Sequence, residues 1–178
     1  INRAPTLILA NVNYVKRVVF PLEILPWVAM GSAIFHTAVS LVVLLIAQVA
    51  LKHTITYSVM FFPVVLIPLV LMSMGVAWIF AAIGVFVRDI GQITVVLTTV
   101  LLFLSPVFYP ITAMPERYRP WIEANPLTFI IEQARIVLIL GGQPNWLLLG
   151  KYTAMGALVA MAGYWVFQRM RRGFADVL

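Results

Sequence analysis

Cysteine is missing from the 178 residues, which excludes disulfides and thiolate metal sites. Histidine is nearly missing: His36 and His53 are too few for a histidine-rich metal centre. Charge is scarce, with Asp, Glu, Lys and Arg making up 10% of the chain, against about 25% in an ordinary soluble domain. There is no phosphate-cradling glycine loop ending in Lys-Ser/Thr. There is no His-Glu-x-x-His, no Ser-His-Asp set and no pair of carboxylates within an apolar run. No charge lies deep in the second or third apolar run, where proton- or sodium-coupled carriers keep ionisable groups at a cost of about 2.5–3.5 kcal/mol each. If the chain moves a substrate, the energy enters from another subunit. Internal repeats are absent too, which leaves an inverted-repeat secondary transporter without support.

What is present is apolar. Hydrophobic residues make up 63% of the chain, well above the soluble average of about 45–50%. A hydrocarbon core needs about 20 such residues in a row. The runs predict an all-α integral membrane protein with one transmembrane domain, 1–178. Four transmembrane helices are expected over about 22–51, 57–87, 90–109 and 146–168, with a gate segment at 110–143 and a tail at 169–178. The chain begins without Met inside a polar segment, which reads as a fragment lacking its N-terminal part. Residues 1–21 are too short and polar to span; they read as an interfacial amphipathic helix or as a connecting loop.

Within the first run, Ser32, His36 and Ser40 recur every fourth residue and share a helix face. That face either lines a polar path or, as such stripes more often do, packs on a neighbouring helix. Ser73, Ala77 and Ala81 in the second run, and Gly156 and Ala160 in the last, offer small-residue faces for close helix contact. Pro26 is expected to kink or fray the start of the first helix, and Pro63 and Pro68 to kink the second. Arg88-Asp89 closes a tight hairpin, either as a solvated charge pair or as a docking loop.

The segment 104–135 is different in kind. Prolines at 106, 110, 115, 120 and 126 rule out one continuous helix. Broken backbone at a membrane edge is tolerated only where protein or water satisfies it. The segment therefore reads as a non-cytoplasmic gate over a pore, built from two short re-entrant helices. Asn125 is a good N-cap, Pro126 a good first-turn residue and Gly141-Gly142 a good stop. The helix between them is about 22 Å long, too short to cross. Glu132 and Arg135, three apart, can pair on one face.

Lys and Arg, twelve in all, sit mostly at the ends of apolar runs, so the net charge of +6 orients spans and does not signal nucleic-acid binding. With the Arg169, Arg171, Arg172 tail inside, Arg3, Lys16, Arg17 and Arg88 lie inside too. Lys52, Arg117, Arg119, Arg135 and Lys151 then lie outside, the arginines in the company of Glu116, Glu123 and Glu132. The C-terminus is expected to be cytoplasmic.

Lys16, Phe20-Pro21, Leu25-Pro26, Val87-Arg88-Asp89, Ser105-Pro106-Val107-Phe108-Tyr109-Pro110, Pro115-Glu116, Asn125-Pro126, Glu132 with Arg135, and Phe174-Ala175-Asp176 follow one another in order. Together they resemble the permease subunit of type-2 ABC exporters for polysaccharides and polyol phosphates, over nearly the whole chain. The resemblance implies a six-span permease of the bacterial inner membrane, of which this chain would hold the third to sixth spans. It implies a second permease copy and two ATPase subunits that bind ATP and Mg, with no cofactor in this chain, and a lipid-linked glycan such as O-antigen, capsule or teichoic acid as substrate. The chain itself would be a transport subunit and not an enzyme. By resemblance, Asn13, Lys16 and Arg17 with Arg88 and Asp89 face the ATPases, and 110–140 forms the outer gate. Phe108, Tyr109, Tyr118 and Trp121 could then stack on sugar rings while Glu116, Arg117, Glu132 and Arg135 pair in the shut state. Alternatively the aromatics are an interfacial belt. Rival readings are a type-2 exporter for a small lipid or drug, and an ATP-independent lipid-linked sugar flippase or enzyme.

Overall fold

The structure is a computed structural model that describes residues 1–11, 21–52, 56–87, 89–107, 111–123 and 125–177. Among these residues there is helix and no strand. Two 3₁₀ turns, Ala4–Thr6 and Leu9–Asn11, come first. The helices follow as α1 (Ile24–Lys52), α2 (Phe62–Phe86, entered through a 3₁₀ turn at Tyr57–Phe61) and α3 (Ile90–Leu104). After them come α4 (Arg119–Glu123), α5 (Pro126–Arg135, extended by a π turn at Ile136–Leu140), α6 (Trp146–Arg171) and α7 (Phe174–Val177).

Three helices, α1, α2 and α6, are long and apolar enough to cross a bilayer. The third expected span, 90–109, holds a helix shorter than read from the sequence. α3 stops after 15 residues because Ser105 turns to extended backbone ahead of Pro106, as the residue before proline tends to do. Pro26, Pro63 and Pro68 do not end their helices. Pro26 lies buried in the first turn of α1, and Pro63, which is exposed, lies in the first turn of α2, where no intrahelical N–H is required. Pro68 lies buried inside α2, which continues through it.

The spine of the fold is the pair α2 and α6. A Cβ on Gly75 would collide with the Val159 carbonyl, and one on Gly163 with the carbonyl of Gly75. The two backbones touch with no side chain between them, the close approach that small residues permit in membranes. The expected Gly156–Ala160 face of α6 does meet α2, while on α2 the contact falls beside the expected stripe. Gly75 makes the contact, Gly156 lies over the Pro68 carbonyl, and Ser73 instead lines the space beside the N-terminal segment.

The N-terminal turns are anchored on the bundle by one side, with Ile1, Asn2, Arg3, Thr6 and Ala10 exposed. Ala4, Pro5 and Ile8 are buried, and Ile8 joins a core with Leu22, Leu25, Trp78, Phe167 and Phe174. Residues 12–20, on which the rest of the expected interfacial helix or connecting loop falls, lie outside the described residues. Ser32, His36 and Ser40 are all exposed, and no helix of this chain packs on that stripe among the described residues. Ser32 and His36 open on a cavity of about 510 Å3 shared with Asn2, Arg3, Ser73 and Thr98.

Candidate functional site

The broken segment is a stack of short pieces tied by side chains. The 3₁₀ turns Ile111–Ala113 and Glu116–Tyr118 lead into α4, and α5 follows. Several of the segment's backbone groups have side-chain partners. Asn125 caps α5 by accepting from the Leu127 N–H at 3.0 Å. Its amide donates to Ser105 Oγ at 3.0 Å, and Ser105 Oγ donates to the Leu101 carbonyl at 2.6 Å. Thr128 Oγ1 donates to the Ile122 carbonyl at 2.6 Å and ties α5 to α4. The Ser105 turn is thereby gripped from the N-terminus of α5.

A second grip comes from Arg135. Its guanidinium pairs with Glu132 and also donates to the Pro106 carbonyl at 2.8 Å. Both side chains are mostly shielded, so this charge-assisted bond acts in a medium of lower dielectric than bulk water.

The far end of α5 is closed in the same way. A helix end leaves carbonyls without partners. Here Ser58 Oγ donates to the Val137 carbonyl at 2.8 Å, and Gln48 Nε2 to the Leu138 carbonyl at 2.6 Å. Gly141 then takes φ 72° and ends the helix, and the Gly142 N–H bonds back to Ile136. Gln133 Oε1 accepts from the Asn145 N–H at 2.7 Å, and Asn145 caps α6 through the Leu148 N–H. Ile130 and Val137 are buried against Phe62, Val65 and Leu149, while Phe129 stacks on Tyr152 at 4.3 Å. α5 therefore packs against the starts of α2 and α6.

The expected gate residues separate into two groups. Glu132 and Arg135 come together at the Ser105-Pro106 turn. Glu116, Arg117 and Trp121 are exposed, and Glu116 makes only a loose pair with Arg119 at 4.0 Å. Arg119 also donates to the Met114 carbonyl at 3.1 Å. Phe108 and Tyr109 lie outside the described residues, and so does the placement of the Tyr118 side chain. Of the coupling candidates, Asn13, Lys16, Arg17 and Arg88 also lie outside them. Asp89 is exposed at the turn before α3, where the Gln92 N–H bonds to its carbonyl.

Residues that sequence reasoning left out of the site are Ser105, Asn125, Gln133, Gln48 and Ser58. Gln48 did carry a signal. A lone amide in a long apolar run must find a partner in the protein, because the hydrocarbon offers none. At the opposite end of the bundle, Arg171 pairs with Glu23 at 2.8 Å and the Trp78 indole donates to the Glu23 carbonyl at 3.2 Å. Among the described residues no group of three His, Cys, Asp or Glu side chains gathers as a metal site.

Comparison with known proteins agrees with this architecture. The chain is 24% identical over 172 residues to an O-antigen export system permease protein RfbA of Klebsiella pneumoniae, across 96% of this chain and 66% of the relative. It is 27% identical over 166 residues to the RfbA permease protein of Myxococcus xanthus, across 92% of this chain and 64% of the relative. It is 25% identical over 158 residues to the polysialic acid transport protein KpsM of Escherichia coli, across 84% of this chain and 57% of that protein. The chain thus spans somewhat less than two thirds of the length of these relatives. The family model described as ABC-2 type transporter matches residues 1–139, which takes in α1, α2, α3 and the whole tied segment up to the end of α5: the chain belongs to the ABC-2 type transporter family.

Proposed function

We propose that this chain is the channel-forming part of a permease that exports a lipid-linked polysaccharide across the bacterial inner membrane, driven by ATP hydrolysed in a separate subunit. The observation that carries the reading is the alignment of nearly the whole chain with permeases named for O-antigen and polysialic acid. The tied segment supports it. A sugar polymer needs a smooth path with few deep charges and an outer lid whose own polar groups are satisfied, and α4 and α5 supply such a lid.

In this reading Glu132 and Arg135 hold the lid shut at the Ser105-Pro106 turn, while Phe108, Tyr109, Tyr118 and Trp121 face the emerging polymer with Glu116 and Arg117. The positions Asn13, Lys16, Arg17, Arg88 and Asp89 receive the ATPase. Two permease copies and two ATPase copies form the working unit, with the C-terminus in the cytoplasm. ATP and Mg are bound by the partner subunit.

Deletion of the gene tests the substrate: surface polysaccharide should vanish while lipid-linked glycan accumulates in the cytoplasm. Intact surface polysaccharide with loss of a small lipid or drug from the medium would transfer the chain to a different cargo. Arg88→Glu tests the docking turn. It should abolish co-purification with the ATPase while leaving the permease in the membrane at normal level, and unchanged complex formation with unchanged export would remove the turn from the contact.

A further inference from the structure

We propose that the C-terminal turns of α6 bind the phosphate-bearing headgroup of an anionic diacyl phospholipid, independently of the exported cargo. Trp165, Gln168, Arg169 and Arg172 line an open pocket of about 420 Å3. At 100° per residue these four share one face of α6, opposite the face that carries the buried Gly156, Gly163 and Phe167. The Arg169 guanidinium lies over the Trp165 ring at 5.7 Å, a cation–π contact that holds it in place. The Gln168 amide is held by the Tyr164 hydroxyl at 2.7 Å. Arg169 and Arg172 are one helical turn apart, about 4.5 Å along the axis, close enough to take one phosphate between them. The pocket lining holds no carboxylate. Arg171, which does pair with a carboxylate, points to Glu23 on another side of the helix.

The same face decides between a lipid and a soluble anion. Directly before Trp165 it continues as Leu158 and Met161, both more than 60% exposed. An apolar strip ending in an aromatic ring and two arginines matches acyl chains ending in a phosphate. A soluble phosphate would use only the arginines. The arginines also oppose the negative end of the helix dipole, but that role does not discriminate between lipids, so lipid selectivity is the measurement that separates the two.

The test takes the full-length permease in the complex it forms in its membrane. The protein is equilibrated with vesicles of phosphatidylglycerol and phosphatidylcholine, and retained lipid is read by native mass spectrometry. Phosphatidylglycerol should be retained in preference. Each cation near an anionic surface favours it about fivefold, so Arg169→Gln with Arg172→Gln should lower that preference about 25-fold. Lys151→Gln, at the other end of α6, should leave it unchanged. Unaltered preference in the double variant overturns the proposal. A second measurement leaves the arginines in place: brominated phosphatidylglycerol should quench Trp165 emission, taken as the difference between wild type and Trp165→Phe, more than brominated phosphatidylcholine. Equal quenching overturns the proposal, and so does a disulfide between two copies of Trp165→Cys, which would assign this face to a second chain.

Discussion

The two ends of the bundle are held by different physics. At the Arg171 end, Ile8, Leu22, Leu25, Trp78, Phe167 and Phe174 bury one another, and aromatic edges meet from Trp27 to Trp78 at 6.2 Å and from Trp78 to Tyr164 at 5.3 Å. At the α5 end, apolar packing against Phe62 and Val65 is joined by a series of side-chain to backbone hydrogen bonds from Ser58, Gln48, Arg135 and Thr128. Packing is non-directional and costs energy for every displaced group. A hydrogen bond to a single carbonyl can exchange for another, or for water, with a small net change. The first end is built to keep its shape; the second is built from contacts that can be released one at a time.

Substitutions can break or sharpen that contrast. Phe167→Ala should have the largest effect, removing about 3–5 kcal/mol of packing; the expected result is a permease that melts as a whole at a lower temperature in detergent. Arg135→Leu should come next. It strips the Pro106 carbonyl and Glu132 of their shared donor, a loss of about 1–3 kcal/mol, and should raise amide exchange in 105–140 while leaving α6 beyond residue 156 protected. Asn125→Ala removes a cap and the Ser105 bond for about 1–2 kcal/mol, with faster exchange confined to the first turn of α5. Gln48→Leu is the smallest, about 0.6 kcal/mol by the average for polar contacts between membrane helices, read as faster exchange at residues 138–142. Uniform destabilisation of both ends by Arg135→Leu would show that the contrast does not exist.

The apolar runs and the stop signals were legible because they are local. Proline before α5, Asn125 as cap and Gly141 as terminator each act within one turn of chain. The pairing of Glu132 with Arg135 is likewise a one-turn relation. What the sequence hid was the partner across the fold. Nothing near Arg135 names the Pro106 carbonyl, 29 positions away, and nothing near Gln48 names Leu138, 90 positions away. The small-residue stripe of α2 failed for a related reason. Period four correctly found a face of α2, but two faces of that helix carry small residues, and only the partner decides that Gly75 and not Ser73 meets α6.

The touching backbones of Gly75 and Gly163 have a mechanical consequence. Helices separated by long side chains can ratchet past each other as rotamers readjust, but here the nearest obstacle to sliding is a carbonyl, which has no rotamer to change. α2 and α6 therefore move as one spar. A displacement at the Arg171–Glu23 pair would not be absorbed by slippage midway and would arrive at Asn145 and Gln133 as a tilt of the whole lever, beneath the α5 helix that this pair of residues ties to α6.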